Sequence, residues 1–143
     1  MTFPFKIIDL THTLSTKSPS WDIGCGFNHK TILDYDECST AVHFKVQEMS
    51  MPAGIGTHID APSHCIRNGL YVAELDLLNH HLITHCVVID VSYHSHERYT
   101  VTGKDILNFE KVHGKIIEHT FVIFYTGWEK YWHDAKQYRN NLI

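Results

Sequence analysis

The sequence predicts a mixed α/β fold, and two observations carry that prediction. Residues 86–91 (Cys-Val-Val-Ile-Asp-Val) and 120–125 (Thr-Phe-Val-Ile-Phe-Tyr) are continuous apolar runs, which read as strands buried on both faces of a parallel sheet. Between them, Thr102 and Asp105 have the Thr-x-x-Asp spacing of a capping box, opening a helix that runs to about Val112. Strand, helix and strand in that order make a βαβ unit with a right-handed crossover.

The other elements follow in chain order. Residues 6–10 (Lys-Ile-Ile-Asp-Leu) read as a short strand. The segment from Thr11 to Cys38 is rich in Ser, Thr, Gly, Asp and Pro without clear periodicity, so it reads as a long loop, a kind of segment that often carries function. Val42, Phe44 and Val46 alternate with polar residues, as in a half-buried strand, and a phase shift to Met49 and Met51 implies a bulge or bend. Residues 73–84 fit a short helix or an irregular connector, and Trp128, Tyr131, Trp132, Ala135 and Tyr138 recur at helical spacing.

Bulk composition narrows the function. The 143 residues are a single-domain length, 43% hydrophobic and 20% charged, in the ordinary globular range. A net charge of -4 points away from nucleic acid and anionic membranes. No apolar run approaches the ~20 residues of a membrane span, and residues 1–6 lack the pattern of a secretory signal, so a soluble cytoplasmic protein is expected. Cys25, Cys38, Cys65 and Cys86 form no C-x-x-C pair and are expected to be free thiols.

The most informative run is Gly54-Ile55-Gly56-Thr57-His58-Ile59-Asp60-Ala61-Pro62-Ser63-His64. His58 and Asp60 share a face of an extended chain, whereas a helix would set them about 200° apart. Pro62 agrees, because a helix interior rejects it and a strand must end near it. The run reads as a strand end that presents ligands and turns away, with Gly54 and Gly56 permitting close backbone approach. Mixed nitrogen and oxygen donors suit zinc, manganese or iron(II) better than calcium. With 13 histidines in the chain, spacing alone leaves both a metal site and a chance pairing open. His94 and His96 lie in a polar turn that reads as solvated, and His80, His81 and His85 lie near a helix–strand junction. Cys65 beside His64 is a poor nucleophile candidate, since strand neighbours face opposite ways.

The same run resembles the H-x-G-T-H-x-D-x-P-x-H signature of the metal-dependent cyclase family, which includes bacterial kynurenine formamidases and isatin hydrolases. Ile8-Asp9-Leu10-Thr11-His12-Thr13-Leu14-Ser15, Ser18-Pro19-Ser20-Trp21, Val87-Val88-Ile89-Asp90-Val91-Ser92 and Thr126-Gly127-Trp128 resemble further family stretches in the same order. The resemblance implies a swivelling β/β/α fold with a parallel and an antiparallel sheet, assembled as a homodimer or tetramer. It implies hydrolysis of a small amide-type substrate, an aryl formamide or cyclic amide of the kind met in tryptophan catabolism. By the same resemblance His58 and Asp60 are metal ligands, His64 is the general acid/base and Trp21 stacks on the substrate. Two departures stand out. Gly54 replaces the first histidine of the signature, and the family continues past Thr-Gly-Trp through a segment bearing a late histidine and glutamate, so the fold is expected to be incomplete at its C-terminus. The rival expectation is a non-catalytic member that folds and binds metal or ligand weakly.

Overall fold

The βαβ unit forms where the sequence places it. In chain order the elements are β1 (Asn28–Leu33), β2 (Val46–Ser50), β3 (Cys86–Asp90), α1 (Gly103–His113), β4 (Phe121–Tyr125) and α2 (Ala135–Arg139). Short 3-10 turns lie at Tyr35–Glu37, Pro62–His64, Val72–Glu74 and Trp128–Tyr131. The computed structural model describes residues 4, 6–21, 26–76 and 83–140. The expectation for His80 and His81 falls outside the described residues. Contacts divide the chain into two compact units, Met1–Ile59 with His133–Ala135, and Asp60–Trp132 with Lys136–Ile143. No helix among the described residues is long and apolar enough to cross a membrane.

In the first unit, β1 and β2 form the antiparallel sheet, with Asn28 opposite Ser50 and Lys30 opposite Glu48. Lys30 Nζ and Glu48 Oε1 pair across it at 2.9 Å. The register slips between Thr31 and Leu33, so the irregularity lies in β1 and not at the methionines of the partner strand. The predicted long loop from Thr11 to Cys38 is therefore shorter than expected, because its second half supplies a strand and the turn at Tyr35–Glu37. Asp34 and Glu37 cap that turn through Tyr35 N–H to Asp34 Oδ1 (2.8 Å) and Asp34 N–H to Glu37 Oε2 (2.6 Å).

Residues 6–10 form no strand. The Asp9 carboxylate accepts hydrogen bonds from Thr11 N–H (2.9 Å) and Thr11 Oγ1 (2.6 Å), a local turn that competes with extended pairing. Ile7, Ile8 and Leu10 are accordingly exposed. Residues 54–60 are likewise a turn and irregular chain, not the end of a strand, since β2 stops at Ser50.

In the second unit, β3 and β4 pair in parallel from Cys86 opposite Phe121 to Asp90 opposite Tyr125. Val91 N–H to Tyr125 O (2.9 Å) and Phe121 N–H to His85 O (2.8 Å) lengthen the ladder at both ends. The helix α1 packs on β3. The strands are not buried on both faces as predicted. Ile89 and Val91 are inside, at 4% and 1% exposure, whereas Val88 and Phe121 are each 54% exposed. Two strands backed by one helix leave the opposite pleat open to solvent. The predicted helix over residues 128–138 is two shorter pieces, Trp128–Tyr131 and Ala135–Arg139. Edge-on ring pairs, Trp128 with Tyr131 at 4.9 Å and Trp132 with Tyr138 at 5.2 Å, account for the periodic aromatics instead.

At the start of α1, Asp105 Oδ2 accepts from Thr102 N–H (2.7 Å) and Thr102 Oγ1 (2.9 Å). These two donors hold the Asp105 carboxyl below the ordinary carboxylate range, the backbone N–H contributing most. A carboxyl that the folded chain favours as its anion stabilises the fold above that ordinary range. The stabilisation is lost as pH falls through the range, from about 5 downward. Urea unfolding followed by circular dichroism at stepped pH should therefore show a shallower acid decline for Asp105→Asn than for the parent chain. Equal slopes would place the acid sensitivity elsewhere.

Candidate functional site

Trp21 follows a turn fixed by serines. Ser18 N–H donates to Ser15 O (3.0 Å), and Ser15 N–H donates to Ser18 Oγ (2.9 Å). Ser18 and Ser20 are buried by this arrangement, while Trp21 is presented outward at 71% exposure. An indole anchored in a core would show the reverse. Trp21 is the residue to which the resemblance assigns substrate stacking.

Gly56 has φ +67°, a conformation that side chains disfavour, and it turns the chain so that its carbonyl faces the ring of His58. His58 Nδ1 lies 2.9 Å from Gly56 O. A carbonyl only accepts, so Nδ1 carries a proton and, in the neutral ring, the lone pair lies on Nε2. A backbone carbonyl that fixes the tautomer in this way is the usual support of a metal-binding imidazole. The ring also lies over Gly54: a Cβ there would meet His58 Nε2 at 3.3 Å. A side chain at position 54, where the signature has a histidine, would thus need the His58 ring to give by a few tenths of an ångström.

In the second unit, Asp60 and His64 come together, with His64 Nδ1 3.8 Å from Asp60 Oδ1 and both side chains more than half exposed. The sequence placed both on an extended strand end. Instead Pro62 begins a 3-10 turn, a first-turn position where its missing N–H costs nothing. The turn makes Asp60 and His64 neighbours in the i, i+4 sense, through His64 N–H to Ala61 O (2.9 Å) and Cys65 N–H to Pro62 O (3.2 Å). The donors fit a divalent ion one by one, a tautomer-fixed imidazole at His58 and a carboxylate at Asp60. Among the described residues, no group of three His, Cys, Asp or Glu side chains is gathered to hold an ion.

Sequence reasoning missed a second polar cluster. His94 does not stay in a solvated turn: its Nε2 lies 2.7 Å from Tyr99 Oη and 3.6 Å from Asp105 Oδ1. Burial, followed by the neighbouring Asp105, pushes the Tyr99 hydroxyl up to about 12, so it stays protonated as a donor. This cluster ties residues 94–99 to the start of α1, and only the Thr102/Asp105 spacing hinted at it. Among the described residues Cys38, Cys65 and Cys86 are free thiols, as expected, and Cys25 lies outside the described residues.

A family model for cyclases matches residues 8–143, nearly the whole chain. The chain belongs to the cyclase family. Its solved structural matches are similar to it in fold as well as sequence. An isatin hydrolase bound to the product analogue thioisatinate shares 27% identity at a TM-score of 0.72, covering 91% of this chain and 53% of that one. Isatin hydrolase A from Labrenzia aggregata, bound to benzyl benzoate, shares 32% identity at a TM-score of 0.70, covering 87% of this chain and 52% of that one. Isatin hydrolase A from Ralstonia solanacearum shares 29% at a TM-score of 0.73, covering 91% and 52%. The chain thus spans about half the length of these cyclase-family structures. A comparison with curated proteins gives no match.

Proposed function

We propose that this cyclase-family chain carries a metal-dependent hydrolase site for a small amide-type substrate, an aryl formamide or a cyclic amide such as isatin. The observation that carries the reading is the Asp60–His64 pair at 3.8 Å, within a fold whose solved matches are isatin hydrolases. His58 and Asp60 would hold zinc or manganese. When bound, such an ion lowers the pKa of a coordinated water and polarises the substrate carbonyl.

The chain's own residues supply the rest. His58 donates its Nδ1 proton to Gly56 O, which leaves Nε2 as the ring nitrogen for the proposed ligand role. His64 turns Nδ1 toward Asp60, so Nε2 is the atom that takes a proton from water and returns it to the leaving nitrogen. Asp60 compensates the positive charge this creates on the imidazole. The outward indole of Trp21 offers a stacking face for an aromatic substrate. Assembly as a homodimer or tetramer in the cytoplasm belongs to the same proposal.

Isatin ring opening, followed by absorbance, tests it. Activity should vanish after chelation and return with zinc or manganese. Activity untouched by chelation would remove the metal from the mechanism. No turnover by the metal-loaded protein would favour the second reading, a non-catalytic member that binds metal weakly. That reading is favoured by the absence of a three-residue donor group among the described residues.

A further inference from the structure

The turn that carries His64 is not held by its own hydrogen bonds alone. Ile66 N–H donates to Pro62 O (2.9 Å), Gly69 N–H to Ile66 O (2.9 Å) and Ser63 N–H to Leu70 O (3.1 Å). Residues 62–70 therefore close into a small loop whose return limb lies directly on its first two residues. Asn68 turns the chain back with φ +62°, a left-handed conformation that asparagine tolerates better than most side chains. The return limb then passes close enough that a Cβ on Gly69 would lie 2.8 Å from Pro62 C, 2.8 Å from Ser63 N and 3.0 Å from Pro62 O. All three atoms are backbone, so no side-chain rotation relieves the clash. Gly69 itself has no left-handed φ, and its requirement is one of space.

We propose that Gly69 is a positioning residue for His64, acting through the backbone of Pro62 and Ser63. This rests on His64 being the acid/base. Any side chain at position 69 pushes Pro62 and Ser63 away from the return limb. His64 is the next residue along the turn, whereas Asp60 lies before it. The displacement thus changes the placement of the imidazole against Asp60, and with it the aim of Nε2, without touching the ligand His58. Misplacement by ~1 Å costs about a hundredfold in rate, so a shift of several tenths of an ångström is worth about tenfold.

The test compares the full chain with Gly69→Ala, and with Gly103→Ala, whose added Cβ meets nothing within 4 Å. Isatin turnover in the metal-loaded protein should show kcat reduced about tenfold by Gly69→Ala with KM unchanged, and neither constant altered by Gly103→Ala. In parallel, NMR should show the His64 ring resonances displaced in Gly69→Ala alone. An unchanged kcat, or a rise in KM alone, overturns the proposal whatever the spectra show. If Gly69→Ala does not fold, Asn68→Ala takes its place, straining the same turn more gently. It should give a smaller loss of kcat at constant KM, and no loss overturns the proposal. If the parent chain acts on neither isatin nor an aryl formamide, the hydrolase reading fails by itself. The ring resonances then decide: displaced, the positioning role stands; unmoved, it is overturned.

Discussion

Replacing His64 by alanine is expected to lower isatin turnover by about 10²–10⁴-fold while leaving bound metal nearly unchanged. The imidazole stands at the end of a 3-10 turn opened by Pro62, with 67% of its side chain exposed and Asp60 3.8 Å from Nδ1. It is thus open to water, and an imidazole exchanges protons near neutral pH. On the proposed mechanism, truncation removes the group that would take the proton from water and deliver it to the leaving nitrogen. It removes nothing from His58 or Asp60. Steady-state kinetics combined with metal analysis on the same preparations separates the roles. If the variant loses metal in step with activity, His64 is itself a ligand and the assignment fails.

Asp60→Asn is expected to act on the metal first. The substitution keeps the shape of the side chain and one of its oxygens but removes the charge that neutralises a divalent cation. Loss of a residue that only supports a ligand weakens affinity about 10–100-fold, so loss of a ligand should weaken zinc or manganese binding by more than about 100-fold. The same change leaves a protonated His64 without its counter-charge, so turnover should stay low even at saturating metal. Calorimetric titration with the metal measures the first effect, and kinetics at high metal measures the second. Unaltered affinity would place Asp60 outside the coordination shell and leave it as a partner of His64 alone.

The regular core was legible because its signals are local. The apolar runs of β3 and β4 and the Thr102/Asp105 spacing each declare their element within a few residues, and parallel pairing follows from the helix between them. The burial of those strands was not legible, since exposure of Val88 and Phe121 depends on how many strands and helices assemble around them. Residues 6–10 misled for a different reason: their apolar pattern is a strand's, but the hydrogen bonds of Asp9 to Thr11 decide the backbone. At the site, the identities of His58, Asp60, His64 and Trp21 came from a short motif and its resemblance. The motif did not reveal that Pro62 starts a turn, which pairs Asp60 with His64 by i, i+4 proximity and not by strand alternation. The role of Gly69 was invisible as well, because it depends on two segments meeting.

The contact between His58 and the bare face of Gly54 has an evolutionary consequence. With the ring nitrogen only 3.3 Å from where a Cβ would stand, the two positions are coupled. A histidine introduced at 54 would require the imidazole at 58 to give by a few tenths of an ångström. The effect of a substitution at 54 is therefore coupled to the loop around Gly56, whose readjustment sets how far the His58 ring can move. Directed evolution of this turn should accordingly randomise residues 54–58 as a block, since single-site screening at 54 would miss pairs that work only together.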